Sequence, residues 1–138
     1  MEALADDVAA SVHFMTQQNS FSPIVYQPQL TSTFGVYFEL KADITTPMTR
    51  PIGTYQGNNN RGFCGHFNGN HHTITLDITE SMMSALFIFT HSATISNLRV
   101  NGSVTETATM GAAGGIVGLT FQTTISQCIN YANVTGSE

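Results

Sequence analysis

Charged residues are scarce in this chain, and their scarcity excludes one class of partner. Lys, Arg, Asp and Glu make up 9% of the 138 residues, whereas soluble domains usually contain about 25%. Only four residues are Lys or Arg, and the formal net charge is −5. Because affinity for DNA and RNA comes largely from basic side chains that neutralise phosphates, we expect no nucleic-acid partner.

Long apolar runs are also missing. About 18 consecutive apolar residues would be needed to propose a transmembrane helix, and no such run occurs. The N-terminus, residues 1–7, is acidic and lacks the positive start and apolar stretch of a secretory signal. The chain is therefore either cytoplasmic or an extracellular or cell-surface protein whose signal peptide is absent from this sequence. We favour the second interpretation.

Cysteine is limited to two residues, Cys64 and Cys128. They permit one disulfide without requiring it, and so leave the compartment undecided. Cys128 aligns with Leu98 in an internal repeat of the sequence, which favours a buried thiol acting as a small hydrophobic side chain.

One helix is predicted, at the N-terminus. Leu4, Val8, Val12 and Met15 recur at helical spacing. Asn19, Ser20 and Pro23 would end the helix, because the first two favour turns and the residue before proline disfavours helical geometry. We expect residues 1–20 to form a capping helix over residues 21–138, which have the length of a single domain.

Internal repetition is the most informative feature of the sequence. Residues 93–105 align without gaps on residues 123–135, so that Ile95 matches Ile125 at an offset of 30 (125 − 95). Thr73-Ile74 marks a looser third copy at an offset of 21 (95 − 74). Periods of about 20–50 residues are typical of stacked units that cannot bury their apolar face alone.

The fold predicted from this repetition is mainly β, a short right-handed parallel β-helix, or β-solenoid. Residues 73–79 alternate between apolar and polar side chains, as a half-buried strand does. No helical crossover separates the short strands, which excludes a doubly wound α/β sheet. A β-sandwich of hairpins is the alternative. We expect these side chains to stack inside: Ile74, Leu76, Ile78, Ile95, Leu98, Val100, Ile125 and Val134.

Several segments resemble the GLUG-motif repeats of bacterial surface proteins. They are Pro51-Ile52-Gly53, Phe67-Asn68-Gly69-Asn70-His71-His72-Thr73-Ile74, Ala93-Thr94-Ile95-Ser96-Asn97-Leu98, Gly114-Gly115-Ile116-Val117-Gly118 and Ile125-Ser126-Gln127-Cys128-Ile129-Asn130-Tyr131-Ala132-Asn133-Val134. Tyr37-Phe38-Glu39-Leu40-Lys41-Ala42-Asp43-Ile44 resembles the strand that opens such regions. The resemblance implies a β-helix-like region of a secreted or surface-anchored adhesin, or of a larger extracellular protein, and so favours a location outside the cell. It implies no catalytic residue. His71 departs from the pattern, because it stands where the family usually has glycine.

The best place for recognition is the loop of residues 53–62. It offers an aromatic platform, amide side chains and one guanidinium group, all suited to sugars or to a protein surface. The alternative is a loop that only connects two strands. The candidate binding residues are Tyr55, Gln56, Asn58, Asn59, Asn60 and Arg61.

Metal-binding and catalytic residues are not predicted, and neither is a cofactor. His66, His71 and His72 lie close together, but adjacent histidines on a strand point in opposite directions and no Cys or carboxylate stands at a ligand spacing. The carboxylates Asp43, Asp77, Glu80 and Glu106 are scattered, whereas β-helix lyases and glycosidases cluster theirs.

Three functions are consistent with the sequence. The first is a non-catalytic binding or spacer module of an adhesin-like protein, with a glycan or a host or neighbouring-cell protein as partner. The second is a fragment of a carbohydrate-active β-helix enzyme, and the third is an ice- or crystal-binding face built on threonines. Residues 134–138 show no cap. We therefore expect either a fragment of a longer array or self-association through the C-terminal coil.

Overall fold

The strands of this protein stack in parallel over most of the chain. The computed structural model describes Leu4 and residues 15–16, 25–26, 33–55 and 61–137. Every element defined in these residues is a strand. Strands β1 (Met15–Thr16) and β2 (Val25–Tyr26) pair antiparallel, and the strands that follow form about three turns of a parallel β-solenoid.

Each turn of the solenoid repeats one route, and we call each turn a coil. The first coil contains β3 (Tyr37–Glu39) and β4 (Ile44–Met48). The second contains β5 (His66–Asn68), β6 (Thr73–Glu80), β7 (Met83–Ser84) and β8 (Phe87–His91). The third contains β9 (Thr94–Ser96), β10 (Arg99–Glu106), β11 (Ala112–Ala113) and β12 (Val117–Phe121). The last, partial coil contains β13 (Thr124–Ser126), β14 (Ile129–Asn130) and β15 (Asn133–Thr135).

Four parallel sheets run along the stack. Their strand orders are β3-β5-β9-β13, β4-β6-β10 with β14 and β15 beside β10, β7-β11, and β8-β12. Ile95 pairs with Ile125, so the predicted 30-residue repeat is confirmed. In the described part of the chain, every pair of named strands after β2 is parallel. The alternative of a β-sandwich built from hairpins is therefore excluded there, because hairpins pair antiparallel strands.

The register predicted for the looser third copy is wrong. Ile74 pairs with Val100, an offset of 26, and the coil-two partner of Ile95 is Phe67. The corner between β5 and β6 has four residues, 69–72, whereas the corner between β9 and β10 has two, 97–98. Aligning Thr73-Ile74 with Thr94-Ile95 ignores this difference in corner length, and so it gives the wrong register.

The predicted interior column is buried in its central part and exposed at one end. Ile74, Leu76 and Ile78 are at most 1% exposed, and Ile95, Leu98 and Val100 are fully buried. Ile125 and Val134 are 44% and 40% exposed, so the prediction that they are buried is wrong. They keep the register of the column, but within the described residues no further coil lies against the last one.

Phenylalanines fill the centre of the core, which the repeat alignment did not predict. The ring of Phe63 lies 5.1 Å from that of Phe87 and 5.7 Å from that of Phe38. Phe67 meets Phe87 edge to face at 5.4 Å. Tilted and edge-to-face contacts at these distances are favourable for aromatic pairs, and they join the first coil to the second.

The structure does not support the predicted N-terminal capping helix. Most of residues 1–20 lie outside the described residues, and Met15, the last apolar position of the predicted helix, lies in β1. It pairs with Tyr26, so an extended backbone with strand partners replaces the last helical turn. Leu4 is buried in the core cluster that also contains Leu40 and Met48.

Two further expectations concern the membrane and the cysteines. In the part of the chain that the structure describes, no helix has the length and apolarity needed to cross a bilayer. Cys64 and Cys128 are not joined by a disulfide. Cys128 is half-buried and packs against the core at the position that aligns with Leu98, and burial raises the pKa of its thiol.

We predict that two isoleucines in the same column differ in their contribution to stability. Ile95→Ala should lower the free energy of unfolding by about 2–5 kcal/mol, because it leaves a cavity in a fully buried layer. Ile125→Ala should cost less than half as much, because that side chain already contacts solvent. Urea denaturation with unchanged m-values would measure both. Equal losses would contradict the difference in burial between the two layers.

Candidate functional site

The first coil carries an insertion at the place that strand β8 occupies in the second coil. Ile52 forms a parallel bridge to Phe87, and Phe63 forms one to Thr90. Two residues separate these positions in the second coil, whereas ten separate them in the first (residues 53–62). The third coil also has two, because Val117 and Thr120 pair with Phe87 and Thr90. The sequence-predicted recognition loop is therefore an excursion from a regular sheet.

A narrow neck closes the base of this excursion. Thr54 and Arg61 exchange both backbone hydrogen bonds, with N···O distances of 2.8 Å and 3.0 Å. Gly53 has a φ of +95°, and a Cβ there would lie 2.7 Å from the carbonyl oxygen of Arg61. A Cβ on Gly62 would lie 2.6 Å from the carbonyl oxygen of Phe89. Glycine at both positions lets the chain leave the sheet and return without breaking its register.

A cleft of about 450 Å³ lies beside the neck. One wall comes from residues 50, 51 and 53–55 of the first coil, and the other from residues 80–83 and Ile88 of the second. The side chains that give the cleft its chemistry are Arg50, Tyr55, Glu80, Met82 and Met83. Two coils, separated by about 30 residues in sequence, thus supply an aromatic ring, a cation, a carboxylate and thioethers to one depression.

Tyr55 is fixed against the second coil. It is half-buried and packs on the small apolar cluster of Met83, Ile88 and Phe89. An aromatic side chain held in this way presents area to a ligand at little conformational cost. The opposite wall includes Met82, which is 52% exposed and has a φ of +73°, an uncommon backbone conformation for a residue with a side chain.

The buried carboxylate of Glu106 accepts a hydrogen bond from the backbone of Met82, a residue of the cleft wall. Glu106 is 2% exposed and is the register partner of Glu80. Burial alone raises the pKa of Glu106, but amide donors at Ala108, Ser137 and Met82 and the Ser137 hydroxyl lower it below its usual value. The Ser137 Oγ lies 3.2 Å from the carboxylate. Glu106 therefore ties together the second, third and last coils behind the cleft.

The structure describes two of the six predicted binding residues. Tyr55 lines the cleft, and the backbone of Arg61 closes the neck. Gln56, Asn58, Asn59 and Asn60 lie outside the described residues. Sequence reasoning missed Arg50, Glu80 and Met82, which reach the site only because the coils stack.

The histidines occupy separate positions on the coils. His66 stacks on Tyr37 with ring centroids 4.3 Å apart, and its Nδ1 lies 2.7 Å from the Thr94 hydroxyl. His71 is at a corner with a φ of +62°, a left-handed backbone conformation that glycine adopts more readily than other residues. Among the described residues no group of three or more His, Cys, Asp or Glu side chains could hold a metal.

Asp43 joins two coils and is not part of a carboxylate cluster. Its Oδ1 accepts a hydrogen bond from the backbone N–H of Thr73 at 2.9 Å and lies 3.1 Å from Nδ1 of His72. The hydrogen bond from Thr73, followed by that from His72, lowers the pKa of Asp43. Elsewhere, burial lowers the pKa of His91, whose ring stacks on Phe121.

One column of threonines spans three coils, and the repeat alignment of the sequence matched only two of its members, Thr105 and Thr135. Thr79 pairs with Thr105, which pairs with Thr135. The outward column two residues away is mixed, with Asp77, Ser103 and Asn133. Of these two outward columns on the sheet, only one therefore repeats threonine from coil to coil.

Comparisons of the chain with protein-family models, with curated proteins and with solved structures found no match.

We predict that Glu106 stabilises the protein in a pH-dependent way. Because its folded-state pKa is lowered, its contribution is complete above the usual glutamate pKa and is lost as the pH falls through the folded-state value. Glu106→Gln should therefore lower the melting temperature at neutral pH, and the difference from the native chain should shrink in acid. Thermal melts from about pH 3 to pH 8 would test this.

Glu80→Gln is the matched control, because Glu80 is the register neighbour but lies on the cleft wall. It should change the melting temperature less. A difference between native chain and Glu106→Gln that stays constant across the pH range would contradict the role of the carboxylate.

We predict that the neck does not tolerate a side chain at Gly62. Gly62→Ala should lower the free energy of unfolding by about 1–3 kcal/mol, because its Cβ would meet the Phe89 backbone. Gly136→Ala is the control, since nothing lies within 4 Å of a Cβ there. It should change stability by less than about 0.5 kcal/mol. Chemical denaturation measures both, and equal effects would argue against a tight neck.

Proposed function

We propose that this protein is a non-catalytic binding module that recognises a glycan in the cleft beside Tyr55. The observation that carries the proposal is the placement of the Tyr55 ring in one depression with Arg50 and Glu80. Sugars present apolar C–H faces beside hydroxyl groups, and this combination suits an aromatic ring flanked by charged hydrogen-bonding groups. The module would belong to an extracellular or cell-surface protein of adhesin type.

The balance of charge favours a neutral sugar. Arg50 contributes one positive charge to the cleft and Glu80 one negative charge. A guanidinium donates and a carboxylate accepts, so the two together can satisfy hydroxyl groups, which do both. A strongly anionic ligand would meet Glu80, and a cationic one would meet Arg50.

The carboxylates argue for binding over hydrolysis. A glycosidase needs two carboxyl groups about 5–9.5 Å apart, both facing the scissile bond. Glu80 lies on the cleft wall, but its register partner Glu106 is buried and accepts hydrogen bonds from neighbouring amides and a hydroxyl. A fragment of a carbohydrate-active enzyme is the less favoured proposal for this reason, and an ice-binding face is less favoured because its threonines form one column.

Two further parts of the proposal concern the architecture. The resemblance to GLUG-motif repeats supports an adhesin-like parent protein, in which the solenoid would also act as a spacer. We also propose that the coil is right-handed, because strand crossovers between parallel strands of one sheet are right-handed in nearly all proteins.

We predict that glycan binding depends on Tyr55. In a screen against neutral polysaccharides and host matrix proteins, the native chain should bind at least one glycan, and Tyr55→Ala should weaken that binding at least about tenfold. Titration calorimetry would measure the affinities. Tyr37→Ala is the matched control, because Tyr37 is an exposed aromatic residue outside the cleft.

The outcomes separate the alternatives. Binding that is kept in Tyr55→Ala and lost in Tyr37→Ala would place the site on the sheet that contains β3, and not in the cleft. Binding to matrix proteins alone would reject the glycan, and no binding to any probe would favour a spacer. Release of reducing sugar from a bound polysaccharide would establish an enzyme.

A further inference from the structure

The cleft beside Tyr55 combines three kinds of chemical group in one small space. Arg50 supplies N–H donors, the carboxylate of Glu80 accepts hydrogen bonds, and Met82 and Ile88 line the same depression with apolar atoms. Its volume of about 450 Å³ is in the range of small-ligand sites, which join apolar surface to a few polar groups that fix orientation. The ligand that fits presents a donor, an acceptor and an apolar group close together.

The apolar wall is fixed by backbone hydrogen bonds on both sides of Met82. The N–H of Met82 donates to the buried carboxylate of Glu106, and its carbonyl oxygen accepts a hydrogen bond from the N–H of Ala112 at 2.8 Å. Both partners belong to the third coil. The side chain of Met82 therefore projects from a backbone that the neighbouring coil fixes, and it is still 52% exposed.

Met82 is also an unusual residue for its backbone conformation. Its φ is +73°, and the other described non-glycine residues with positive φ are Asn, His, Ser or Gln, all of them polar. Asn and His are enriched in this conformation, and glycine adopts it most readily. Uncommon backbone conformations cluster at binding sites, where they are part of the function. A methionine kept in this conformation on the wall of a cleft indicates that its thioether contacts the ligand.

We infer that the sugar bound in the cleft carries an N-acetyl group. This inference rests on the proposed glycan site and narrows its ligand class. An acetamido group has no net charge, and it joins one N–H donor, one carbonyl acceptor and a methyl group within a few atoms. Glu80 can accept a hydrogen bond from the N–H, Arg50 can donate to the carbonyl oxygen, and the methyl group can pack on Met82.

Related sugars meet the cleft less well. Glucose and galactose have a hydroxyl in place of the acetamido group, and a hydroxyl has no apolar part for Met82 to contact. A free amino sugar lacks both the carbonyl and the methyl group, so it cannot use Arg50 or Met82. A methylene added to or removed from an apolar pocket changes discrimination by about 10–200-fold. Because Met82 is half exposed, we expect the lower end of this range, a preference of about tenfold.

The test compares sugars that differ only at this group. Titration calorimetry of the native chain would use the linear trimers of N-acetylglucosamine, glucosamine and glucose with one linkage, and the methyl glycosides of N-acetylgalactosamine and galactose. At least one N-acetylated sugar should bind about tenfold more tightly than its counterpart. Tyr55→Ala should weaken the binding of every sugar that the native chain binds, because the ring contacts the sugar and not its substituent.

Met82→Gly removes the thioether without opposing the backbone, because glycine adopts positive φ readily. It should weaken binding of the N-acetylated sugar about tenfold and leave its counterpart unchanged, so that the preference disappears. Met110→Gly is the matched control, because Met110 is 97% exposed and does not line the cleft. It should change neither affinity. Circular dichroism would establish that both variants are folded.

Saturation-transfer NMR tests the same contact in the native chain. The acetamido methyl protons of the bound sugar should receive saturation from the protein, and methyl protons that receive none would overturn the inference. Tyr55-dependent binding without a preference for N-acetylated sugars, or a preference kept in Met82→Gly, would overturn it while the glycan site stands. Absence of Tyr55-dependent binding to any sugar would overturn the glycan site, and the inference with it.

Discussion

The interaction on which the structure depends is the parallel pairing of each coil with the next. Short strands such as β5 and β9 bury little alone, but in register they place Phe67, Ile95 and their neighbours in one continuous column. Every layer needs an apolar neighbour above and below. This need explains why Ile95 is buried while Ile125, with the same register and chemistry, is 44% exposed.

The sequence predicted the parts of the fold that depend on local repetition. The 30-residue offset between Ile95 and Ile125 and the alternation of β6 both follow from side-chain pattern, and both are confirmed. The register of Ile74 was wrong, because corner lengths vary without changing the strands. The helical spacing that ends at Met15 was also misleading, since strand pairing decides the conformation there.

The candidate site could be predicted only in part, for a physical reason. Tyr55 stood out because it begins a loop rich in amides, and loops carry recognition. Arg50, Glu80 and Met82 carry no such local signal, and they approach Tyr55 only through the register of two coils. In the sequence, Glu106 is only one of several scattered carboxylates. In the structure it accepts hydrogen bonds from backbone amides of neighbouring coils, among them that of Met82 in the cleft wall.

The glycine neck has a consequence for how such a protein can diversify. Because residues 53–62 leave the sheet and return between Ile52 and Phe63, the bridges on both sides are formed as though the segment were absent. The closing cost of a loop grows only slowly with its length. The segment beyond Thr54 and Arg61 can therefore be lengthened, shortened or exchanged by evolution or by grafting, while the scaffold beneath it keeps its stacking.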